Sequence, residues 1–553
     1  MLKMPTIRRW GTGSILIASF MLSSLAAADD NAITADPLVP RPKTKPCVVN
    51  LFTDMRFDDY SPRNFEYSPP ADCPTPWAKV VLAVDYSVTA GVQYDRTAQI
   101  WIGAANIYFG TTQEPSRTVP ISWHVERDLT DYSPLFAVDQ PGLAILFNVV
   151  NPTYTSVLFG TADLQFYPLD SSQDPPVTAD AVFPLSAGDR GGPVSLETFD
   201  DVLERRFTLP TNIERAYLDV VAQNQSNDEF WILCVPNEVS GPLRSCGGTG
   251  FRETEISIDG QPAGVAPIYP WIFTGGIDPY LWRPIPGVQT FNFVPYRVDL
   301  TPFAAMLSDG EEHSVAVRVY NANHRFDTTA TLLVYLDSGA DQVTGDVTEN
   351  TLDPTPTPDV QFDYRTTIDG VTSGEVNIYS TRAFAITGVA NTSHGTVQTR
   401  VEQHIDFSSE QVFDNITSTT FNQNLNQMTR ISSRTTVSAD EGEQVSLQRL
   451  GWPLTLSRSI TPRSGGISAR RTVIQQEYQL GEIVGDFSRQ LSSVVTPADT
   501  LLVQGSSIVG HEDQASSHEY FSQDSSGACY DRRITAEGSI LTGIFDDERC
   551  VAR

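Results

Sequence analysis

Short runs in which apolar and polar residues alternate dominate the chain. Examples are "KVVLAVDYSV" (79–88), "LAILFNVV" (143–150), "AYLDVVAQ" (216–223), "HSVAVRVY" (313–320) and "TLLVYL" (331–336). They are rich in Val, Ile, Tyr and Phe and are bounded by Gly, Pro, Asn and Asp. A period of two with such boundaries predicts strands that bury one face, and helical periodicity is scarce. The expected class is all-β.

Two polar, proline-bearing stretches break the pattern: "DSSQDPPVTAD" (170–180) and "DSGADQVTGDVTENTLDPTPTPD" (337–359). Linkers are therefore expected at 171–192 and 338–359, leaving blocks at 51–170, 193–337 and 360–553. The first two blocks resemble each other. "VERDLTDYSPLF" (125–136) and "YRVDLTPFAAML" (296–307) share Asp-Leu-Thr with an aromatic two residues on. Each is followed by a turn and an apolar strand reaching Asn148 or Asn321. This self-similarity predicts two tandem, jelly-roll-like antiparallel β-sandwiches side by side, with a cleft between them. The third block has long alternating strands dense in Ser, Thr, Gln and Asn, such as "TSTTFNQNLNQMTRISSRTTVSA" (417–439). A C-terminal β-rich domain with a stabilising, accessory role is expected.

The N-terminus changes the compartment. Lys3, Arg8 and Arg9 precede the apolar "SILIASFMLSSLAAA" (14–28), so residues 1–28 read as a signal peptide and 29–50 as an N-terminal extension. A secreted or periplasmic protein is expected, with no membrane contact once the signal is removed. Six cysteines suit an oxidising compartment. Of the 15 pairings, the one with the shortest loops joins Cys47 to Cys73, Cys234 to Cys246, and Cys529 to Cys550. Removing Lys3, Arg8 and Arg9 takes the formal charge from −30 to −33. Such a surface repels nucleic acid and suits a neutral or sugar-bearing partner.

Motif chemistry narrows the choice by elimination. Neither a nucleophile elbow, a P-loop, a dinucleotide fingerprint, C-x-x-C nor H-E-x-x-H occurs, so no metal or cofactor is expected. Carboxylates beside aromatics are left. In "GVQYDRTAQIWIG" (91–103), which reads as a strand, Asp95 and Arg96 interrupt the middle. "SNDEFWIL" (226–233) places Glu229 near Trp231, and "GGIDPYLWRPIPG" (275–287) places Trp282 and Arg283 in a loop. Aromatic faces cover sugar rings, while Asp, Glu and Arg bond hydroxyl and acetamido groups. Two carboxyl groups divide acid and base roles when their surroundings separate their pKa values.

Several motifs stand in one collinear order over about 50–340: "NFEYSPPADCPTPWAKVVL", "GVQYDRTAQIWIGAANIYFGTTQEP", "WHVERDLTDYSPL", "NDEFW", "GFRETEISIDGQPAG", "YPWIFTGGIDPYLWRPI" and "VPYRVDLTPFAAMLSDGEEH". Together they resemble the peptide:N-glycosidase A family of acid-active amidases that remove N-glycans. A fainter resemblance is to peptide:N-glycosidase F, a bacterial family of two side-by-side jelly rolls with a Trp-Asp-Arg motif. Here Tyr94, Asp95 and Arg96 match that motif, and Glu229 matches its second acidic residue. Where it has another Glu, this chain has Asn148. The resemblance implies hydrolysis of the amide joining Asn to the first N-acetylglucosamine of an N-glycopeptide or N-glycoprotein. Asp95 would activate water, Glu229 would act across the cleft, and Arg96, Asn148, Trp231, Trp282 and Arg283 would contact substrate. An endo-acting glycoside hydrolase and a non-catalytic glycan-binding protein are the other two classes kept open.

Overall fold

The computed structural model describes residues 31–170 and 174–550. The expected signal segment lies outside the described residues. The first sandwich is built from β1 (Cys47–Phe57), β2 (Arg63–Tyr67), β3 (Trp77–Val88), β4 (Thr97–Ile102), β5 (Ala105–Thr111), β6 (Ile121–Asp128), β7 (Gln140–Leu146) and β8 (Leu158–Pro168). They form two antiparallel sheets, ordered β1-β8-β3-β6 and β2-β7-β4-β5. After β9 (Ala181–Leu185) come β10 (Val194–Thr198), β11 (Leu203–Thr208), β12 (Ile213–Asn224), β13 (Glu253–Ile258), β14 (Gln261–Pro267), β15 (Tyr296–Asp299), β16 (Glu312–Tyr320) and β17 (Asn323–Leu336). Their sheets are β10-β17-β12-β15 and β11-β16-β13-β14, with β9 added beside β17. Both sandwiches follow the same eight-strand order, that of a double-Greek-key jelly roll.

The repeated Asp-Leu-Thr has a physical basis. In each copy it closes the last strand of one sheet onto the central strand. Leu129 N–H donates to Val80 O at 2.9 Å, and Leu300 N–H donates to Ala216 O at 2.9 Å. Asp128 and Asp299 each accept the N–H two residues on, from Thr130 and Thr301, at 3.0 Å. The Thr hydroxyls accept from Val80 N–H and Ala216 N–H. An Asp that turns the backbone and a Thr that satisfies a buried strand N–H are needed wherever this corner is built.

The third block forms β18 (Thr344–Asn350), β19 (Asp359–Thr366), β20 (Thr372–Thr392), β21 (Gly395–Ile416), β22 (Phe421–Ala439), β23 (Gly442–Pro462), β24 (Ile467–Val484), β25 (Phe487–Gln504), β26 (Ser507–Asp524), β27 (Cys529–Glu537) and β28 (Ile540–Asp546). From β20 to β28 this sheet is one antiparallel meander. The stretches read as linkers each contain a strand, β9 and β18, that pairs at a sheet edge. Polar sequence is compatible with an edge exposed to water.

The meander has no core separate from the second sandwich. Ile378, Phe407, Trp452 and Ile474 belong to one buried cluster with Trp231, Trp271 and Leu281. Its polar composition follows from what it covers. The second sandwich presents irregular backbone to it, and buried amide side chains answer those groups. Gln476 donates to Pro270 O at 2.7 Å and accepts from Val288 N–H at 3.0 Å. Gln411 donates to Cys234 O at 3.2 Å.

The three disulfides join Cys47–Cys73, Cys234–Cys246 and Cys529–Cys550, the short-loop pairing. Among the described residues no helix is long and apolar enough to cross a membrane.

Candidate active site

The two jelly rolls meet where the segment after β5 runs beside a long loop, 268–295, of the second sandwich. Backbone and side-chain bonds join them. Thr111 N–H donates to Thr290 O at 2.9 Å, and Phe293 N–H to Phe109 O at 2.8 Å. Thr274 Oγ1 donates to Thr112 O at 2.6 Å, and Gln113 Nε2 to Trp282 O at 3.1 Å. Carboxyl groups from both sandwiches gather at this junction.

Asp95 does not lie within a strand. Strand β4 begins at Thr97, and residues 91–96 form the loop entering it. The loop is tied down by its neighbours. Gln93 Nε2 donates to Val149 O at 2.9 Å, and Arg96 N–H donates to Thr112 Oγ1 at 2.9 Å. An extended pairing would have left Asp95 on a sheet face, whereas the loop turns it towards the second sandwich. There its carboxylate faces the backbone N–H of Gly275. Enclosure raises its pKa to about 6, against the pull of that N–H and of the Arg96 guanidinium.

Glu114 stands beside it and is buried. Its Oε2 accepts from Arg283 Nη2 at 3.1 Å. Burial first, and then the Asp95 charge, push its pKa to about 7 despite Arg283. A Cβ on Gly275 would sit 2.3 Å from Asp95 Oδ1 and 2.7 Å from Glu114 Oε1. The two carboxyl groups therefore face each other across the space of one methyl, which only glycine leaves free.

Glu229 comes from the second sandwich, on a tight turn after β12. Its neighbour Asp228 fixes that turn. The buried Asp228 accepts at Oδ1 from Arg252 Nε (3.1 Å) and Nη2 (2.9 Å). At Oδ2 it accepts from the N–H groups of Asn323 (2.9 Å) and Arg325 (3.0 Å). Asn224 Nδ2 holds the Glu229 carbonyl at 2.6 Å. Burial and the charge of Asp95 raise the Glu229 pKa to about 7.

Asp95 and Glu229 line one cleft with Arg96, Thr97, Phe273 and Gly275. Its rim on the first sandwich carries Tyr60 and Tyr94, 57% and 56% exposed. Phe147 supports Tyr60, and Tyr154 supports Tyr94, with ring centroids 6.4 and 5.4 Å apart. The opposite wall presents Gln225 and the ion pair Arg325–Asp327 (2.9 Å). Aromatic faces on one side and polar groups on the other suit a ligand that is part sugar and part amide.

Comparison with known proteins agrees in extent with these two sandwiches. The family model for peptide N-acetyl-β-D-glucosaminyl asparaginase amidase A matches residues 39–352. The chain belongs to this amidase A family. A relative from Prunus dulcis, peptide-N4-(N-acetyl-β-glucosaminyl)asparagine amidase A, is 31% identical over 391 residues, 67% of each chain. Among solved structures, recombinant peptide:N-glycanase F is 13% identical with a TM-score of 0.37, covering 53% of this chain and 96% of that one. PNGF-II is 11% identical with a TM-score of 0.37, covering 53% and 66%.

Within this amidase A chain, the structure corrects three expectations. Asn148 is fully buried and donates to the carbonyls of Phe57 (2.9 Å) and Ser156 (3.3 Å). Its repeat counterpart Asn321 likewise donates to Gly248 O at 2.7 Å. Both follow the same strand of the jelly roll and brace a loop. Trp231 and Trp282 are also enclosed, at 1% and 0% exposure. Trp231 packs against Phe407, and Trp282 Nε1 donates to Gly276 O at 2.9 Å. Side chains without surface cannot touch a sugar. Asp95, Arg96 and Glu229 do share the cleft, whereas Arg283 lies outside its lining and holds Glu114, the neighbour of Asp95.

Glu114 and Gly275, like Tyr60 on the rim, are among the residues that sequence reasoning missed. One signal was present. From Thr97 to Gln113 the chain carries no charge, and Glu114 ends that run beside Pro115. A lone carboxylate closing a long uncharged, strand-forming segment is a candidate for burial with a purpose.

Proposed function

We propose that Asp95 and Glu229 carry out base and acid chemistry in the hydrolysis of the β-aspartylglucosaminyl amide bond, with Glu114, held by Arg283, standing beside Asp95. As a member of the amidase A family, the chain is an amidase that releases N-glycans from glycopeptides. Two carboxyl groups, Asp95 from one sandwich and Glu229 from the other, line one cleft, and Glu114 stands beside Asp95; burial raises the pKa of all three, and this arrangement carries the assignment of roles.

An amide is a weak electrophile with a poor leaving group. Asp95, the most acidic of the three, is the first to ionise and serves as base. It takes a proton from water as the water oxygen bonds to the Asn side-chain carbonyl carbon. Glu229, still protonated near neutrality, gives its proton to the departing nitrogen from the other side of the cleft. The C–N bond breaks, leaving an Asp side chain and a glycosylamine, which later loses ammonia to water. Glu114 keeps a proton beside Asp95, and Arg283 limits the repulsion when that proton leaves. Arg96 steadies the Asp95 charge. Tyr60 and Tyr94 offer their faces to the sugar. The three disulfides support the reading of an enzyme exported out of the cytoplasm.

The test uses a defined N-glycopeptide in heavy-oxygen water. The expected result is one labelled oxygen in a new Asp side chain. Asp95→Asn and Glu229→Gln should each lower kcat by about 10²–10⁴-fold in folded protein. A product that keeps one sugar on Asn would instead show a glycoside hydrolase, and binding without release a glycan-binding protein. Full activity in either variant overturns that residue's role.

A further inference from the structure

The loop that brings Gly275 and Arg283 to the active site is held from behind by the C-terminal meander. At the point of contact lie two buried carboxyl groups, Asp278 on the loop and Asp499 on β25, 2% and 0% exposed. Their other bonds are accounted for. Asp278 Oδ1 accepts from Tyr280 N–H at 2.9 Å, and Asp499 Oδ1 meets His511 Nδ1 at 3.0 Å. The remaining oxygens, Oδ2 of each, are buried with no hydrogen-bond partner. The two carboxyl groups face each other at this contact. Two carboxylates cannot bond without a proton between them.

The surroundings connect this pair to the cleft. The Tyr280 ring stacks on His511 at 3.8 Å, and the Arg283 guanidinium lies 5.2 Å over the Tyr280 ring. Gln514 Nε2, on β26, donates to Arg283 O at 2.9 Å. Asp278 N–H donates to Gly276 O at 2.7 Å, one residue from the glycine that faces Asp95. The charged and titratable groups facing the pair are His511 and Asp513 on β26, Arg471 on β24, and Arg283 and Glu114 on the cleft side.

We propose that Asp278 and Asp499 form a proton-shared joint by which the C-terminal meander positions Gly275 and Arg283, and so the active-site carboxyl groups, in the acid range only. Neither residue touches substrate; both are positioning residues. With the proton in place the joint is a short polar bond in a dry site. Without it, two like charges face each other with Arg471 and His511 as partial compensation. Burial pushes both groups above their ordinary range, and the facing Asp499 carboxyl raises Asp278 further. The unfolded chain releases these protons near pH 4. The joint's contribution is therefore present at low pH and lost as pH rises through the raised folded values. This rests on the amidase reading only for its catalytic consequence.

The test replaces the shared proton by an amide. Asp499→Asn donates permanently to Asp278, and Asp278→Asn does the same in the other direction. Hydrogen exchange of the 273–283 backbone is compared between variant and wild type at about pH 5 and about pH 8. The expected result is equal protection at the lower pH and at least several-fold greater protection in either variant at the higher. In the glycopeptide assay, Asp499→Asn should retain more of its acid-range kcat/KM at the higher pH than wild type does. Equal loss of protection in variants and wild type on raising the pH overturns the joint, as does greater protection in wild type at the higher pH. If one variant does not fold, the other carries the same comparison. Exchange needs no turnover, so failure of the joint and failure of the amidase reading are told apart.

Discussion

Gly275→Ala places one methyl between the carboxyl groups of Asp95 and Glu114. Gly275 does not have a left-handed backbone, so alanine meets no conformational penalty there. The added Cβ would lie 2.3 Å from Asp95 Oδ1 and 2.7 Å from Glu114 Oε1, where ordinary contact begins at 3.4 Å. Asp95 must then retreat by about 1 Å, into the open cleft, and Glu114 by somewhat less. A misplacement of about 1 Å in a catalytic constellation costs roughly 10²-fold in rate, or about 2.7 kcal/mol of transition-state stabilisation. Overpacking a closed core costs about 1–3 kcal/mol of stability, and a side chain free to swing into solvent lowers that. The expected outcome is thus a large fall in kcat/KM on a defined glycopeptide with a small change in melting temperature. Gly241→Ala is the control, because its Cβ would meet no atom within 4 Å. If Gly275→Ala keeps kcat/KM within about threefold of wild type, Asp95 and Glu114 do not act at the positions described here.

Three other outcomes are expected. The pH profile of kcat/KM should be bell-shaped, rising as Asp95 ionises near 6 and falling as Glu229 loses its proton near 7; a profile flat from about pH 5 to about pH 8 removes the acid–base division. Arg252→Met leaves Asp228 charged and buried, since both side chains of the pair are 0% exposed. It should cost about 3–5 kcal/mol by chemical denaturation, and Asp228→Asn in the same chain should recover part of that. Tyr60→Ala and Tyr94→Ala should each raise KM roughly fivefold with kcat held, about 1 kcal/mol of lost stacking; unchanged KM in both takes the sugar away from that rim.

Much of the architecture was legible because it is local. Period-two alternation marks a strand that buries one face whatever it packs against, so the all-β class and the central strands β3, β7, β12, β16 and β17 could be read directly. Asp-Leu-Thr was legible as a repeat because the same corner needs the same turn and the same hydroxyl twice. The family motifs led to Asp95 and Glu229 without any geometry. Strand-like alternation misled at Gly91–Arg96, where bonds from Thr112 and Val149 hold a loop. Indole rings at Trp231 and Trp282 read the same whether they cover a sugar or fill a core.

The chain by itself determined which segments become strands, that two of its blocks repeat, and which residue types are available for chemistry. Tertiary structure alone decided which carboxyl groups meet. Glu229 lies near Asp95 because two sandwiches close on each other, and Asp278 meets Asp499 across more than two hundred residues of sequence. The pKa of a carboxyl group depends on the water removed from it and on the charges brought near it. Both are properties of contact, and no pattern along a single strand encodes them.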